Sequence, residues 1–254
     1  MHPILFKIGP ITIYTYGVLV FLGVVAGYFF SLVQVKKEGI DKKDFSDIVF
    51  WSLIWGFIGA RIFYILLNFK FFLRDPLGIG LSRAGFVFYG GVFFGLGAFY
   101  ILTRKRNLDF LKLADILVLA LLLGHAIGRI GCFSYGCCYG KPTSSWIGIK
   151  FPPSSPAGSL GTKVIPTQLI SSLALLCIFL VLWSKRKKTS FKGEIFSLYF
   201  ILYGIFRFII EFYRGDPRSY LGKFSMFQII SLGMIVIGAL LWLLFQKRFK
   251  SSNS

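Results

Sequence analysis

The sequence has 254 residues, of which 56% are hydrophobic, 19% aromatic and only 15% charged, and its mean hydropathy is +0.72. This composition excludes an ordinary soluble globular domain, because most of the chain favours lipid over water. The net charge of +19 does not indicate nucleic-acid binding, since Lys and Arg stand in short clusters between apolar runs rather than in a stripe with interleaved aromatic residues.

Seven apolar segments approach the length of about 20 residues that a helix needs to cross a hydrocarbon core of roughly 30 Å. The first segment lacks the cleavage site of a signal peptide, so we expect it to remain as a span. We predict an all-α protein with a single membrane-embedded domain over residues 1–254 and seven transmembrane helices. Their approximate bounds are residues 11–35, 45–68, 86–103, 114–133, 165–183, 194–212 and 224–245.

The basic residues predict the orientation of these spans. They concentrate after spans 1, 3 and 5 and at the end of the chain, and cytoplasmic loops of membrane proteins collect Lys and Arg. The sequence therefore predicts a multi-pass protein with its N-terminus outside and its C-terminus in the cytoplasm. The residues concerned are Lys36, Lys37, Lys42, Lys43, Arg104, Lys105, Arg106, Lys112, Lys185, Arg186, Lys187, Lys188, Lys192, Lys247, Arg248 and Lys250.

Three basic residues lie inside predicted spans: Arg61, Arg129 and Arg207. An arginine in a span costs at least about 2.5 to 3.5 kcal/mol, so it usually faces the protein interior or a water-filled cavity and has a partner. Each of the three stands a few residues before the outer end of its span, roughly 6 to 11 Å below the boundary at 1.5 Å per residue. This common depth predicts one shared site in the outer part of the membrane.

Other polar residues reach the same level, namely Tyr16, Tyr89 and Glu211. Glu211 shares a helix face with Tyr203 and Arg207, because these residues follow one another at intervals of four. One carboxylate among three guanidiniums leaves excess positive charge, and the predicted occupant is a phospholipid phosphate, which suits the planar fork of arginine. The alternative interpretation is an Arg207–Glu211 ion pair that only fixes packing.

The segment from residue 124 to 141, GHAIGRIGCFSYGCCYGK, is the densest local signal. Its glycines allow the backbone to approach another helix or a headgroup closely. The spacing of Cys132, Cys137 and Cys138 is not C-x2-C, and no histidine is adjacent, which argues against a metal site. A disulfide from Cys132 to Cys137 or Cys138 on an oxidising exterior, or buried free thiols, remain open.

Two further polar residues in span 4 have simpler interpretations. We expect His125 to be a packed, hydrogen-bonded residue rather than a ligand. Asp115 lies near the cytoplasmic end of the span, at a different depth from the arginines. We expect it to be a helix-start anion or half of a buried pair.

The order and spacing of these motifs resemble the prolipoprotein diacylglyceryl transferase family over almost the whole chain. Each motif is weak alone, and their sequence along seven spans makes the resemblance specific. The matching pieces are Ile8-Gly9-Pro10 through Tyr16-Gly17, Gly59-Ala60-Arg61, Tyr89-Gly90-Gly91, Asp115, Gly128-Arg129-Ile130-Gly131 through Gly140, Pro166-Thr167-Gln168-Leu169, and Tyr203-Gly204-Ile205-Phe206-Arg207 with Glu211.

The resemblance implies a bacterial cytoplasmic (inner) membrane enzyme without a metal or other cofactor. Its reaction would transfer a diacylglyceryl group from phosphatidylglycerol to the lipobox cysteine thiol of a prolipoprotein signal peptide, releasing glycerol 1-phosphate. By position, Arg129 would bind the lipid phosphate, Arg207 would stabilise the leaving group, and Glu211 would orient Arg207. The remaining candidates are Tyr89 for catalysis, Arg61, Tyr16, Tyr203, Gly128 and Gly140 for lipid binding, and Cys132 and Cys137 as cleft-lining residues.

The chain also departs from the family pattern. The family commonly has Asn at Cys132, Glu at Cys137, and His at Tyr89 and Ile165, and a Tyr-Glu pair often stands at Ile170-Ser171. These departures leave the general base open among Tyr89, Glu211, a cysteine and water. They also support a paralogue that binds or modifies another lipid or thiol acceptor. A membrane transporter is the weaker alternative, because the sequence shows neither inverted repeats nor polar residues across the full membrane depth.

Overall fold

The computed structural model describes residues 4–9, 11–76, 78 and 85–253, so Pro10 of the family-like opening lies outside the described residues. The described chain contains eight α-helices, which confirms the largely helical class. They are α1 (Thr15–Lys37), α2 (Lys42–Leu67), α3 (Phe69–Phe72), α4 (Phe88–Lys105), α5 (Phe110–Tyr135), α6 (Thr167–Lys185), α7 (Glu194–Glu211) and α8 (Met226–Asn253).

Three small antiparallel hairpins accompany the helices. They pair β1 (Ile4–Ile8) with β2 (Ile11–Tyr14), β3 (Ile149–Lys150) with β4 (Lys163–Val164), and β5 (Tyr220–Leu221) with β6 (Phe224–Ser225). The prediction that the first span begins at residue 11 was therefore wrong. The run Ile-Thr-Ile-Tyr consists of β-branched and aromatic residues, which favour a strand, and hydropathy alone does not separate such a strand from the helix that follows.

Five of the described helices are long and apolar enough to cross a membrane: α1, α2, α5, α6 with its short 3₁₀ extension, and α8. The structure therefore supports a helical membrane protein but does not confirm seven spans. The other two predicted spans correspond to α4 and α7, which have 18 residues each. Such a helix is about 27 Å long, slightly short of the hydrocarbon core. In addition, α7 contains Glu194, Arg207 and Glu211.

The chain divides into two compact units. Unit 1 comprises Met1–Ser31 and Ala114–Ser254, and unit 2 comprises Leu32–Leu113. In unit 1, buried leucines of α5 and α6 pack with Ile195 of α7 in the main apolar core. Helices α1 and α5 cross closely at two glycines, because a Cβ on Gly23 would lie 2.6 Å from the carbonyl oxygen of Gly124. Only glycine permits this approach of the two backbones.

The start of α7 is fixed by a residue of α5. The carboxylate of Asp115 accepts hydrogen bonds from the backbone N–H groups of Gly193, at 2.9 Å, and Phe196, at 2.7 Å. These donors belong to the first turn of the helix, where backbone N–H groups have no partner within the helix. Asp115 is thus a helix-start anion, as one of the two interpretations predicted, but it caps α7 rather than its own helix.

Unit 2 is built on the packing of α2 against α4. A Cβ on Gly90 would lie 2.6 Å from the carbonyl oxygen of Gly59, so small residues again bring two helices together. The backbone N–H of Val87 donates to the carbonyl of Ala60 at 3.0 Å and joins the start of α4 to α2. At the other end of α4, the guanidinium of Arg106 pairs with Asp44 and Asp47 on α2.

Candidate functional site

The predicted polar face of α7 forms a buried ion pair. The Nη1 of Arg207 lies 2.7 Å from Oε2 of Glu211, one helical turn away. Both residues are buried, with 8% and 7% of their surfaces exposed. The Arg207 guanidinium also lies over the ring of Phe227, 4.7 Å from its centroid. The face therefore points into the protein, as the spacing predicted.

Glu211 is shared among several donors. Its Oε1 lies 3.3 Å from Nε of Arg218 and accepts a hydrogen bond from the hydroxyl of Ser225 at 3.1 Å. Both carboxylate oxygens are therefore engaged by guanidiniums, Oε2 by Arg207 and Oε1 by Arg218. This arrangement suits a residue that positions arginines and does not suit a general base.

A second carboxylate lies beside this pair. Asp216 accepts two hydrogen bonds from Arg214, each of 2.8 Å, and one from Arg218 at 2.9 Å. Arg214 is itself buried, with 6% of its surface exposed. We call Arg129, Arg207, Arg214 and Arg218, together with Glu211 and Asp216, the arginine cluster. It contains four guanidiniums and two carboxylates, so it carries excess positive charge.

Arg129 joins the cluster from α5. Its Nε donates to Nε2 of His125 at 3.2 Å, and the His125 ring lies 5.7 Å from the ring of Tyr203 on α7. Arg129 and Arg207 lie within electrostatic range of each other. Among the described residues, Arg129 has no carboxylate partner. The packed, hydrogen-bonded role predicted for His125 is confirmed.

The loop after α5 is fastened to two neighbouring segments of unit 1. The N–H of Gly140 donates to the carbonyl of Ile165 at 2.9 Å, and the N–H of Lys141 donates to the carbonyl of Tyr213 at 2.9 Å. A Cβ on Gly140 would lie 2.7 Å from the Ile165 carbonyl oxygen, so this glycine is required by the backbone. At Gly128, by contrast, a Cβ would meet only Val20, at 4.0 Å.

The three cysteines of this segment converge in space. They are free thiols, and their Sγ atoms all lie within 4.8 Å of one another, so no disulfide joins them. Of the two alternatives that the sequence left open, free thiols are therefore observed rather than a disulfide. Helix α5 ends at Tyr135 and is followed by Gly136 at φ +80°, and Cys138 adopts φ +60°. These left-handed residues turn the chain back so that Cys137 and Cys138 approach Cys132.

In the loop after α5, neighbouring groups shift the pKa values of the Cys137 and Cys138 thiols in opposite directions. Hydrogen bonds with Cys132 and Cys137, together with the nearby Arg214 guanidinium, lower the pKa of the Cys138 thiol far below its usual value. Hydrogen bonds with Cys132 and Cys138 raise the pKa of the Cys137 thiol. Cys138 is therefore the position of the three where negative charge is best accommodated.

Tyr16 borders the same region from α1. Its ring centroid lies 6.2 Å from that of Tyr135 at the end of α5, and a Cβ on Gly131 would lie 3.3 Å from the Tyr16 carbonyl oxygen. Its side chain is within electrostatic range of the cysteines and of Arg129. Five of the predicted site residues therefore lie in unit 1, each close to another of them or to a residue that contacts one. They are Tyr16, Tyr203, Arg129, Arg207 and Glu211.

The other two candidates belong to unit 2. Arg61 donates from Nη1 to the carbonyl of Gly85 at 3.0 Å, and its guanidinium lies over the rings of Tyr64 and Phe86 at 5.4 and 5.5 Å. Tyr89 stands in the first turn of α4 and is 52% exposed. The convergence of Arg61 with the other two span arginines stays a prediction.

Comparison with known proteins shows which family this chain resembles. The family model of prolipoprotein diacylglyceryl transferases matches residues 3–244. The chain belongs to the prolipoprotein diacylglyceryl transferase family. Three phosphatidylglycerol–prolipoprotein diacylglyceryl transferases illustrate the similarity. The protein of Clostridium tetani is 38% identical to this chain, and the match covers 94% of this chain and 95% of that protein. The protein of Finegoldia magna is 36% identical, over 100% of this chain and 99% of its own length. Transferase 2 of Clostridium perfringens is 35% identical, over 95% of this chain and 94% of its own length.

Several residues that contact the arginine cluster or belong to it were not predicted from the sequence. Asp216 and Arg218 lie between predicted spans 6 and 7 and, like Ser225 and Phe227, were assigned no role. One signal was available: the chain has only 10 acidic residues, and Asp216 stands between Arg214 and Arg218 in the run Arg-Gly-Asp-Pro-Arg. Scarce acidic residues flanked by arginines indicate a paired cluster rather than a solvated loop.

Proposed function

We propose that this protein transfers the diacylglyceryl group of phosphatidylglycerol to the lipobox cysteine thiol of prolipoproteins, releasing glycerol 1-phosphate. Membership of the family and the names of its relatives support the reaction. The observation that carries the site is Arg129, a charged residue of an apolar helix that lies near Arg207 and lacks a carboxylate partner among the described residues. An uncompensated guanidinium at such a position favours an anionic ligand supplied by the lipid.

The proposed chemistry is a displacement at a glycerol carbon. The thiolate sulfur forms a C–S bond, the C–O bond to the phosphate breaks, and its electron pair stays on the departing glycerol 1-phosphate. Fixed cations stabilise the charge that grows on this phosphate in the transition state. Arg129 binds the headgroup and phosphate, Arg207 stabilises the leaving group, and Glu211 orients Arg207 and Arg218 because both of its oxygens are already engaged.

The other proposed roles concern the shape of the cleft. Tyr16 and Tyr203 line it, Gly128 leaves room beside Arg129, and Gly140 holds the loop that carries the cysteines. We further propose, from the family positions they match, that Arg61 contacts the lipid headgroup and that Tyr89 takes part in catalysis. Cys132 and Cys137 line the cleft on the side of the thiol acceptor.

We place this site in the outer part of the bacterial cytoplasmic membrane. Seven spans, with α4 and α7 crossing as short helices at which the bilayer thins locally, would put the N-terminus outside and the C-terminus in the cytoplasm. In the structure, Arg61 and Arg129 stand six residues before the ends of their helices and Arg207 stands four residues before. At 1.5 Å per residue these positions are about 6 to 9 Å from the helix ends, in agreement with the common depth.

The direct test is a transfer assay with defined substrates. Purified protein is incubated with phosphatidylglycerol vesicles and a lipobox peptide, and the peptide mass is measured. We expect a diacylglyceryl thioether on the cysteine peptide and none on a matched peptide with Ser at that position. Modification from another phospholipid but not from phosphatidylglycerol would favour the paralogue, and the absence of any thioether would contradict the proposal.

A further inference from the structure

The cysteines form a compact group at the edge of the arginine cluster. Cys132 lies in the last turn of α5 and is buried, and Cys137 and Cys138 follow in the loop and are half-buried. Their three sulfurs lie within 4.8 Å of one another. We call these three residues the thiol cluster. Three soft ligand atoms at such distances are a potential binding site for a metal ion that prefers sulfur.

The thiol cluster depends on an unfavourable backbone conformation at Cys138. Cys138 is one of only two described non-glycine residues with positive φ, a left-handed conformation that strains any residue with a Cβ. Buried residues at the start of α6 hold the loop in place. The hydroxyl of Thr167 donates to the Cys138 carbonyl, and the amide of Gln168 donates to the Cys137 carbonyl, each at 2.8 Å. Glycine would fit this backbone better, so a cysteine here indicates that its sulfur is needed.

The geometry is close to that of a zinc site. A Zn–S distance of about 2.3 Å in a tetrahedral arrangement separates the sulfurs by about 3.8 Å, so the thiols need to approach by about 1 Å at most. Three protein ligands with an open fourth position are typical of catalytic rather than structural zinc. Zinc with three thiolates carries one negative charge, and Arg214 beside Cys138 and Arg129 near Cys132 are placed to balance it.

We propose that Cys132, Cys137 and Cys138 bind one Zn²⁺ whose open fourth position takes the lipobox thiol of the acceptor as a thiolate. This inference rests on the proposed function. It deepens that function by assigning the step that activates the nucleophile. The thiol proton passes to water when the sulfur binds zinc, so no side-chain base is required. The bound thiolate then attacks the glycerol carbon, glycerol 1-phosphate leaves with the C–O electron pair, and the neutral thioether dissociates from zinc, whose oxidation state does not change.

The position of the thiol cluster supports this division of labour. Arg129, proposed to bind the phosphate, lies within electrostatic range of Cys132, and Arg214 connects Cys138 to Asp216 of the arginine cluster. The displacement requires the attacking sulfur and the departing phosphate oxygen on opposite sides of the glycerol carbon, and the two neighbouring clusters would hold one group each. This proposal departs from our expectation from the sequence that the enzyme needs no metal.

Metal binding is tested without reference to activity. Full-length protein is purified under reducing conditions, its zinc content is measured, and Co²⁺ is exchanged in to report thiolate ligands by charge-transfer absorption. We expect one zinc per chain in the wild type and in the control Cys177→Ser, because Cys177 is exposed on α6. Cys132→Ser, Cys137→Ser and Cys138→Ser should each lose stoichiometric zinc. Wild-type protein that binds neither metal, or that contains an oxidised pair in its active form, would overturn the proposal.

A Cys→Ser variant that misfolds would not show whether its cysteine binds zinc. Because Cys138 has a positive φ, Cys138→Gly provides a second variant that should fold. Cys138→Gly relieves the backbone strain while removing a ligand. We therefore expect its thermal stability to match or exceed that of the metal-free wild type, with loss of zinc. Retention of stoichiometric zinc in Cys138→Gly would remove Cys138 from the site and contradict the proposal.

The fourth position is tested with the acceptor. Adding a lipobox peptide to the Co²⁺ protein should strengthen the thiolate charge-transfer band, and the matched Ser peptide should not. Removing zinc with a chelator should abolish thioether formation, and adding zinc back should restore it. Full activity of the zinc-free enzyme would refute the metal while leaving the transferase reaction intact. A zinc-loaded protein that forms no thioether from phosphatidylglycerol would instead contradict the proposed function.

Discussion

Arg129 is bonded to a histidine rather than to a carboxylate, and this makes it the sharpest test of the lipid site. Replacing it with Gln should leave a folded protein but lower the transfer rate by 10² to 10³, about 2.7 to 4 kcal/mol, because a charge-assisted contact to the phosphate is lost. Lys should restore only part of the rate, since it lacks the bidentate fork. The measurements are transfer rate and thermal unfolding in detergent. Normal turnover with reduced stability would mean that Arg129 serves packing alone.

Glu211 should behave differently, because it is structural as well as positioning. Glu211→Gln leaves the buried guanidinium of Arg207 without its partner, and breaking such a pair costs about 3 to 5 kcal/mol. We expect a large fall in unfolding temperature together with loss of transfer. Lys223→Gln is the surface control, since Lys223 is exposed in the turn between β5 and β6, the hairpin that also carries Ser225. A Glu211→Gln protein of unchanged stability would show that the pair contributes little to the fold.

At this scale, the sequence predicted the residues that belong to helices better than those that belong to loops. The Tyr203, Arg207 and Glu211 face follows from helical periodicity, so its inward orientation could be foreseen. Arg218 and Ser225 reach Glu211 through the β5–β6 hairpin, whose geometry no periodicity predicts. The grouping of all three thiols was not predicted for a related reason, because it depends on left-handed backbone at Gly136 and Cys138 that no periodicity reports.

Among the helices, the crossing of α1 and α5 offers a test in which substitution and control lie on one helix. Gly23→Ala places a methyl group 2.6 Å from a backbone oxygen of Gly124, whereas Gly17→Ala meets nothing within 4 Å. Overpacking of this kind costs about 1 to 3 kcal/mol. Gly23→Ala should therefore lower the unfolding temperature and Gly17→Ala should not. Equal effects of the two substitutions would show that the helices can move apart at no cost.

The capping of α7 by Asp115 predicts a loss of stability that is separate from activity. Asp115→Ala removes the acceptor for two backbone N–H groups, and loss of a cap costs about 0.5 to 2 kcal/mol. The control is Glu38→Ala, which removes an exposed pair with Lys112 that contributes little. Unfolding temperature should fall for Asp115→Ala alone, while the KM for phosphatidylglycerol stays unchanged. A raised KM at normal stability would instead place Asp115 in the lipid site.

The helices were predicted from the sequence to within a few residues, and the errors have physical causes. An apolar run indicates which part of a helix is buried in lipid, but not at which residue the helix begins or ends. For this reason α2 extends to Lys42 and α8 to Asn253, both beyond the apolar limits. The start of α1 at Thr15 was missed because the strand before it is equally apolar.

For the whole molecule, the distribution of basic residues predicts the orientation in the membrane. Reporter fusions after Lys43 and Lys188 should report the cytoplasm, and a fusion after Lys150, in the long loop between α5 and α6, should report the exterior. An external signal at both Lys43 and Lys188 would overturn the orientation and the argument from common depth. The division into two compact units was not foreseen, because hydropathy reports contact with lipid and not which helices contact each other.

The charge balance of the arginine cluster bears on how the enzyme releases what it makes. The cluster contains four guanidiniums and two carboxylates, and ion pairs hold three of the guanidiniums in place, those of Arg207, Arg214 and Arg218. The phosphodiester of phosphatidylglycerol carries one negative charge, whereas a phosphate monoester carries close to two at neutral pH, since its second pKa is about 6. The same cations therefore hold the product more tightly than the substrate, and we expect product exit to limit the rate. A rapid first turnover followed by a slower steady state, with competitive inhibition by added glycerol 1-phosphate, is the kinetic pattern that would show it.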